Sequence, residues 1–140
     1  MKVEDIRKIC VIGAGNRGHQ IALSAALAGY KVSCMDISQE MLSKAEKFAR
    51  TYLPERVAKG KMTQEQADLG RANISFTLSL EEAAHDADFL IEAAVEKINV
   101  KRKLFADLDR IAPPHAILAT NSSFIVSSKI ADATKRPDKV

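Results

Sequence analysis

The 140-residue chain is predicted to fold as a doubly wound α/β domain: a mainly parallel sheet, helices on both faces, and a helical arm projecting after the second strand. Three observations predict it. Short apolar runs alternate with segments of helical period along the chain. The first run, Lys8 to Ile12, opens directly into Gly13-Ala14-Gly15-Asn16-Arg17-Gly18. The second, Lys31 to Met35, ends on Asp36, roughly 20 residues after that glycine turn.

Each element has its own local cause. Lys8 to Ile12 turns from alternating to continuous apolar character, as a strand buried on both faces does. From Gln20 onward, Ile21, Ala22, Ala25, Ala26 and Ala28 keep one helical face small, and Gly29 is placed to end that helix. After the strand Lys31 to Met35, Ser38 caps a long helix with Met41, Leu42, Ala45, Phe48, Ala49 and Tyr52 on its buried stripe. Pro54 is expected to kink or restart that helix, and Gly60 to end the segment. Thr63-Gln64-Glu65-Gln66 reads as a capping box opening a short helix, which completes the arm. Ile74 to Thr77 is a strand, and Ser79-Leu80-Glu81-Glu82 is a second capping box. Phe89-Leu90-Ile91 is the next strand; a helix marked by Leu104 and Leu108 follows until Pro113-Pro114 stops it. Ala116 to Thr120 is the last strand, and a short helix is expected around Ile125 to Ile130.

Composition narrows the function classes. At 140 residues the chain is one domain's worth, and 46% apolar with 28% charged residues is an ordinary globular mix. The net charge of +3 is spread out, and Lys101-Arg102-Lys103 reads as a solvated helix face, so no nucleic-acid partner is expected. No run approaches a membrane span, and Met1 to Lys8 has no signal-peptide core. Cys10 and Cys34 fall inside neighbouring strands, where a reduced pair packs as small hydrophobes. That usage points to a reducing, cytoplasmic setting. No metal-ligating cluster is expected.

The glycine turn solves one physical problem, which is holding a pyrophosphate against backbone N–H groups at a helix start. Gly13 permits the turn, Gly15 lets phosphate approach the main chain, and Gly18 lets helix and strand pack closely. Asp36 accepts from ribose hydroxyls and repels a 2′-phosphate, so the cofactor is read as NAD rather than NADP. Arg17 argues the other way if it reaches a phosphate; its plain reading is a solvated residue at the helix start. In a doubly wound sheet, ligands lie outside the carboxyl ends of the strands. Gly13 to Gly18, Asp36, Ala93 to Glu96 and Asn121 to Ser123 each follow a strand, so all are expected along one edge.

Ile91-Glu92-Ala93-Ala94-Val95-Glu96, the Glu96…Lys101 spacing and Ala119-Thr120-Asn121-Ser122-Ser123 resemble the 3-hydroxyacyl-CoA dehydrogenases. The resemblance extends through Lys59-Gly60-Lys61-Met62-Thr63, Ala87-Asp88-Phe89 and Arg136-Pro137-Asp138, nearly the whole chain. It implies a Rossmann-type NAD domain over residues 1–140, completed in the family by a helical second domain through which members dimerise. It implies NAD contacts from Gly13, Ala14, Gly15, Asn16, Arg17, Gly18, Asp36, Glu96, Lys101, Asn121 and Ser123. Ser123 also falls on the serine that touches the substrate's 3-oxygen, and Lys59 on a lysine that meets coenzyme A phosphates. The implied activity is reversible hydride transfer between a 3-hydroxyacyl-CoA thioester and NAD, as in fatty-acid β-oxidation or butanoate-type metabolism. The family's catalytic histidine lies in a Gly-x-His-Phe-Phe-Asn-Pro run shortly past the position of Val140, with its glutamate further on. The chain is therefore expected to bind cofactor without turnover.

Each transferred role has a plainer local reading. Glu96 can complement a helix dipole with Lys101 as an exposed neighbour, Ser122 and Ser123 can be helix caps, and Lys59 a solvated lysine beside Gly60. His19, His85 and His115 are read as surface residues. Two departures from the family pattern stand out: Asn16-Arg17 replaces an apolar pair, and Phe124 follows Ser123 where a small polar residue is usual, leaving acyl-chain preference open. Two other functions fit the same residues. One is a sibling dehydrogenase of free hydroxy acids or sugar acids, which has no use for Lys59. The other is a non-catalytic NAD-sensing module, which has none for Ser123.

Overall fold

The computed structural model describes residues 2–93, 97–121 and 129–140. The expected Glu96, Ser122, Ser123 and Phe124, and most of the helix expected near Ile125, lie outside the described residues. The elements run β1 (Lys8–Ile12), α1 (Asn16–Leu27), β2 (Lys31–Met35), α2 (Gln39–Ala58), α3 (Gln64–Asn73), β3 (Ile74–Thr77), α4 (Leu80–Ala84), β4 (Phe89–Glu92), α5 (Ile98–Ile111) and β5 (Ile117–Thr120). Every strand pairing is parallel, in the order β3-β2-β1-β4-β5. The predicted doubly wound Rossmann-type sheet is what forms.

Strand parity sorts the core into two layers. Cys10 and Ile12 of β1, Met35 of β2, Leu90 of β4 and Leu118 of β5 face α4 and α5, where Phe105 and Leu108 cover them. Ile9 and Val11, Val32 and Cys34 face the opposite side, against Ala22 and Ala26 of α1 and Leu42 and Ala45 of α2. Small residues on α1 bring its axis close to the sheet. The arm has its own anchor, because Leu23 of α1, Ala49 and Leu53 of α2 and Ala67 of α3 form a third buried cluster. Asn73 donates its side-chain amide to the Ala26 carbonyl, tying the end of α3 to α1.

Two local expectations are corrected. Of the two outcomes expected at Pro54, a kink or a restart, the restart does not occur: α2 continues through the proline. Leu53 is 1% exposed and Ala49 2%, so packing holds the inner face together. Arg50, whose carbonyl loses its intrahelical partner to the proline, is exposed to water. At α4, Ser79 accepts from the Glu82 N–H as an N-cap, but the reciprocal bond of a capping box is missing. Thr77 takes both groups instead: its hydroxyl donates to the Glu82 carboxylate and accepts from the Ser79 N–H. The box at Thr63 and Gln66 forms in full.

Candidate functional site

The carboxyl ends of the strands are laced together by backbone hydrogen bonds that run one residue past each strand. Gly13 N–H donates to the Met35 carbonyl (2.7 Å), Ala93 N–H to Ile12 (2.9 Å), Asn121 N–H to Glu92 (2.8 Å) and Asp36 N–H to Thr77 (3.3 Å). The described parts of the four expected segments therefore share one edge.

The turn at its centre is built around two glycines with opposite requirements. Gly13 sits at φ +107°, a conformation that side chains rarely adopt. A Cβ on Gly18 would fall 1.7 Å from the Gly13 carbonyl oxygen, so backbone itself excludes any larger residue. Among the described residues, a Cβ on Gly15 would meet only the Met41 methyl at 3.6 Å, an ordinary contact. No described residue explains that glycine, which leaves the face open for a group that must approach main chain closely. Gly15 is also the N-cap of α1 and offers no side-chain cap. The first N–H groups of the helix are thus unclaimed by a capping side chain, next to exposed Asn16 and Arg17. These features fit a dinucleotide pyrophosphate.

Asp36 stands at the β2 side of the turn. One carboxylate oxygen accepts from the Ala14 N–H and the other from the Ser38 N–H, both at 2.9 Å. The acid is therefore pre-oriented by the glycine turn on one side and the start of α2 on the other. Each oxygen keeps a lone pair for a ribose hydroxyl.

Lys101 is buried, which corrects the reading of Lys101-Arg102-Lys103 as a solvated helix face. Its side chain has no solvent exposure; its ammonium lies 2.8 Å from Glu92, itself 1% exposed, and donates to the Thr120 hydroxyl at 3.0 Å. Thr120 in turn donates to Glu92 at 2.9 Å. The reason is parity and helical period. Glu92 shares a face with Leu90, and Thr120 with Leu118, while Lys101 heads the Lys101-Phe105-Leu108 stripe that covers that face. Sequence reasoning missed Glu92 and Thr120, although that stripe was there to be read.

Lys59 is not brought to this edge. α2 begins near Asp36 and runs 20 residues, which carries Lys59 roughly 30 Å along the arm. There it is exposed and pairs with Glu55 at 2.7 Å, holding that carboxyl below its usual range. The histidines are not uniformly surface residues. His85 and His115 are exposed as expected, His115 bonding Asp88 at 2.6 Å, but His19 is partly buried, donates to the Gly15 carbonyl (2.8 Å) and meets Phe48 edge-on. Among the described residues no cluster of potential metal ligands occurs, and no helix is long and apolar enough to cross a membrane.

Comparison with known proteins agrees with this geometry. Residues 8–140 match the family described as 3-hydroxyacyl-CoA dehydrogenase, NAD binding domain. A probable 3-hydroxybutyryl-CoA dehydrogenase of Bacillus subtilis is 40% identical across 97% of this chain and 47% of its own length. A peroxisomal fatty acid beta-oxidation multifunctional protein of Arabidopsis thaliana is 35% identical across 96% of this chain and 18% of its own. The crystal structure of 3-hydroxybutyryl-CoA dehydrogenase from Escherichia coli K12 superimposes with a TM-score of 0.92 at 37% identity, covering 96% of this chain and 28% of that one. The chain spans about half the length of the Bacillus relative and less than a fifth of the plant one.

Proposed function

The chain belongs to the NAD-binding-domain family of the 3-hydroxyacyl-CoA dehydrogenases, and from that premise we propose that it forms the cofactor half of an enzyme that reversibly oxidises 3-hydroxyacyl-CoA thioesters. NAD is the cofactor, and its nicotinamide ring, when bound, supplies the hydride acceptor. The residues of this chain do the holding. Gly13 to Gly18 present the uncapped first turn of α1 to the pyrophosphate, and Asp36 grips the adenosine ribose. Asn121 lies along the same edge at the end of β5. Glu96 and Ser123 are assigned the far side of the cofactor and the substrate's 3-oxygen. Lys59, at the far end of the arm, is assigned a coenzyme A phosphate, for which Glu55 acts as the stand-in partner. Lys101 supports the site from below by fixing Glu92 and Thr120, the residues just before Ala93 and Asn121. A homodimer formed through a helical second domain and a cytoplasmic setting complete the proposal. The two buried free cysteines favour a reducing compartment, and cell fractionation decides between the cytoplasm and the peroxisomal setting named for the plant relative.

The observation that carries this reading is the pairing of an open Gly15 with a closed Gly18 beside a pre-oriented Asp36. Asp36→Asn tests it, because the amide still accepts from a backbone N–H but carries no charge. NADH affinity is expected to fall about tenfold or more, the loss of a charged hydrogen bond. The preference for NADH over NADPH should collapse, since repulsion of the 2′-phosphate is gone. Fluorescence titration with both reduced cofactors measures this; unchanged affinity and unchanged preference would remove Asp36 from the site.

A further inference from the structure

Arg17 is the second residue of α1, exposed, and without a hydrogen bond or ion pair to any described residue. Many other cations of the chain are committed: Lys8, Lys59, Arg102, Arg110 and Arg136 all hold carboxylates. The guanidinium borders a shallow, open surface depression of about 460 Å³ that it shares with Gln20, Ile21, Ser24 and Asn121. None of these described lining residues is a carboxylate, so nothing in that lining offsets the charge.

The position of this depression along the sheet gives it meaning. Asp36 lies at the end of β2, and Asn121 at the end of β5, on opposite sides of the glycine turn in the order β2-β1-β4-β5. A dinucleotide with its adenosine ribose on Asp36 and its pyrophosphate on α1 must extend its second nucleoside toward β4 and β5. That is the side on which Arg17 and Asn121 meet. The group arriving there differs in charge between the two cofactor forms: the nicotinamide ring is a cation when oxidised and neutral when reduced.

We propose that Arg17 is a specificity residue that discriminates between the oxidation states of the bound cofactor, disfavouring the cationic ring of NAD+ relative to NADH. This rests on the cofactor orientation given above. The rival role for the same guanidinium is a clamp on the pyrophosphate, which both forms carry alike. The two roles differ in what they do to the ratio of affinities. A clamp scales both constants together, whereas repulsion of the ring changes one against the other and is screened by salt.

The experiment titrates the 140-residue chain with NADH by fluorescence and with NAD+ by calorimetry, at low and high salt. The proteins are the unaltered chain, Arg17→Met, Arg17→Gln and Arg17→Lys. Because the site is exposed, two neutral variants guard against one that fails to melt cooperatively. In the neutral variants NAD+ should gain on NADH by roughly three- to tenfold at low salt, with the gain shrinking at high salt. Arg17→Lys should keep the original ratio within about twofold, since the charge remains. An equal loss for both forms, or no change in either, overturns the proposal while leaving the cofactor site intact. An unaltered chain that binds neither form overturns the cofactor orientation and this proposal with it.

Discussion

An ammonium with no solvent contact is tolerated only beside a compensating charge, and Lys101 finds one in Glu92. Desolvating both groups makes such a pair a weak net stabiliser, yet removing one partner leaves the other as a buried charge without its counter-ion. Lys101→Met keeps the bulk of the side chain and deletes the ammonium. Its unfolding free energy in urea is expected to fall by about 3–5 kcal/mol. Adding Glu92→Gln should restore at least half of that loss, because the amide still bonds Thr120 and no charge is left behind. A single-variant loss below about 1 kcal/mol would put the pair in the class of surface bridges and contradict its burial. Cys10 and Cys34 show the same rule from the other side. Burial pushes both thiols up to about 12, so they pack as neutral groups and are poor nucleophiles at neutral pH.

The turn from β1 into α1 shows how one element can hold a structural glycine and a functional one side by side. Gly18→Ala would place a methyl group inside the Gly13 carbonyl, and relief requires moving the helix away from the strand. A loss of about 2 kcal/mol or more in stability is expected, as for overpacking in a core, together with loss of NADH binding. Among the described residues Gly15→Ala meets only the Met41 methyl, so stability should change by no more than about 1 kcal/mol. NADH binding should still weaken at least about tenfold, because the methyl occupies the approach to the phosphates. Thermal melts and cofactor titrations of the two variants separate these outcomes; equal effects on stability would show that the open face of Gly15 is not open. This element was legible in the sequence because its cues are local: an apolar run, three glycines and an acid at fixed spacing. The capping box at Thr63 was legible for the same reason. Pro54 and Lys101 were not. Whether a helix survives a proline depends on what its inner face packs against. Whether a lysine is buried depends on a carboxylate from another element, and neither partner is near in sequence.

At the scale of the molecule, the edge opposite the site is stapled by a single carboxylate. Asp88 accepts from the N–H groups of Arg7 and Lys8 at the start of β1, and from His115 just before β5. It thereby joins the amino ends of β1, β4 and β5, and so fixes the relative heights of the strands whose other ends carry Gly13, Ala93 and Asn121. His115 is exposed, as its reading as a surface residue expects; only its bond to Asp88 is hidden from the sequence, because the partner lies before a different strand. Burial pushes the Asp88 carboxyl up, but the His115 hydrogen bond and the two backbone N–H groups outweigh it, holding the acid below its ordinary value. The sign follows from that depression. A carboxyl that is more acidic when folded stabilises the protein fully above its unfolded value of about 3.9, and the contribution is lost as pH falls through the folded value. Asp109 is depressed in the same sense: burial raises it, and the Lys135 N–H and Arg136 outweigh that effect. Asp88→Asn should therefore cost about 1–3 kcal/mol of unfolding free energy at pH 7, the order of magnitude of hydrogen bonds to a charged group. The gap between the two proteins should close as pH falls below about 4, because protonation of the unaltered chain then reproduces the neutral side chain. Urea denaturation at intervals from pH 7 to pH 3 measures the gap directly. A difference that stays constant across that range would mean that Asp88 supports the sheet by shape alone and not by its charge.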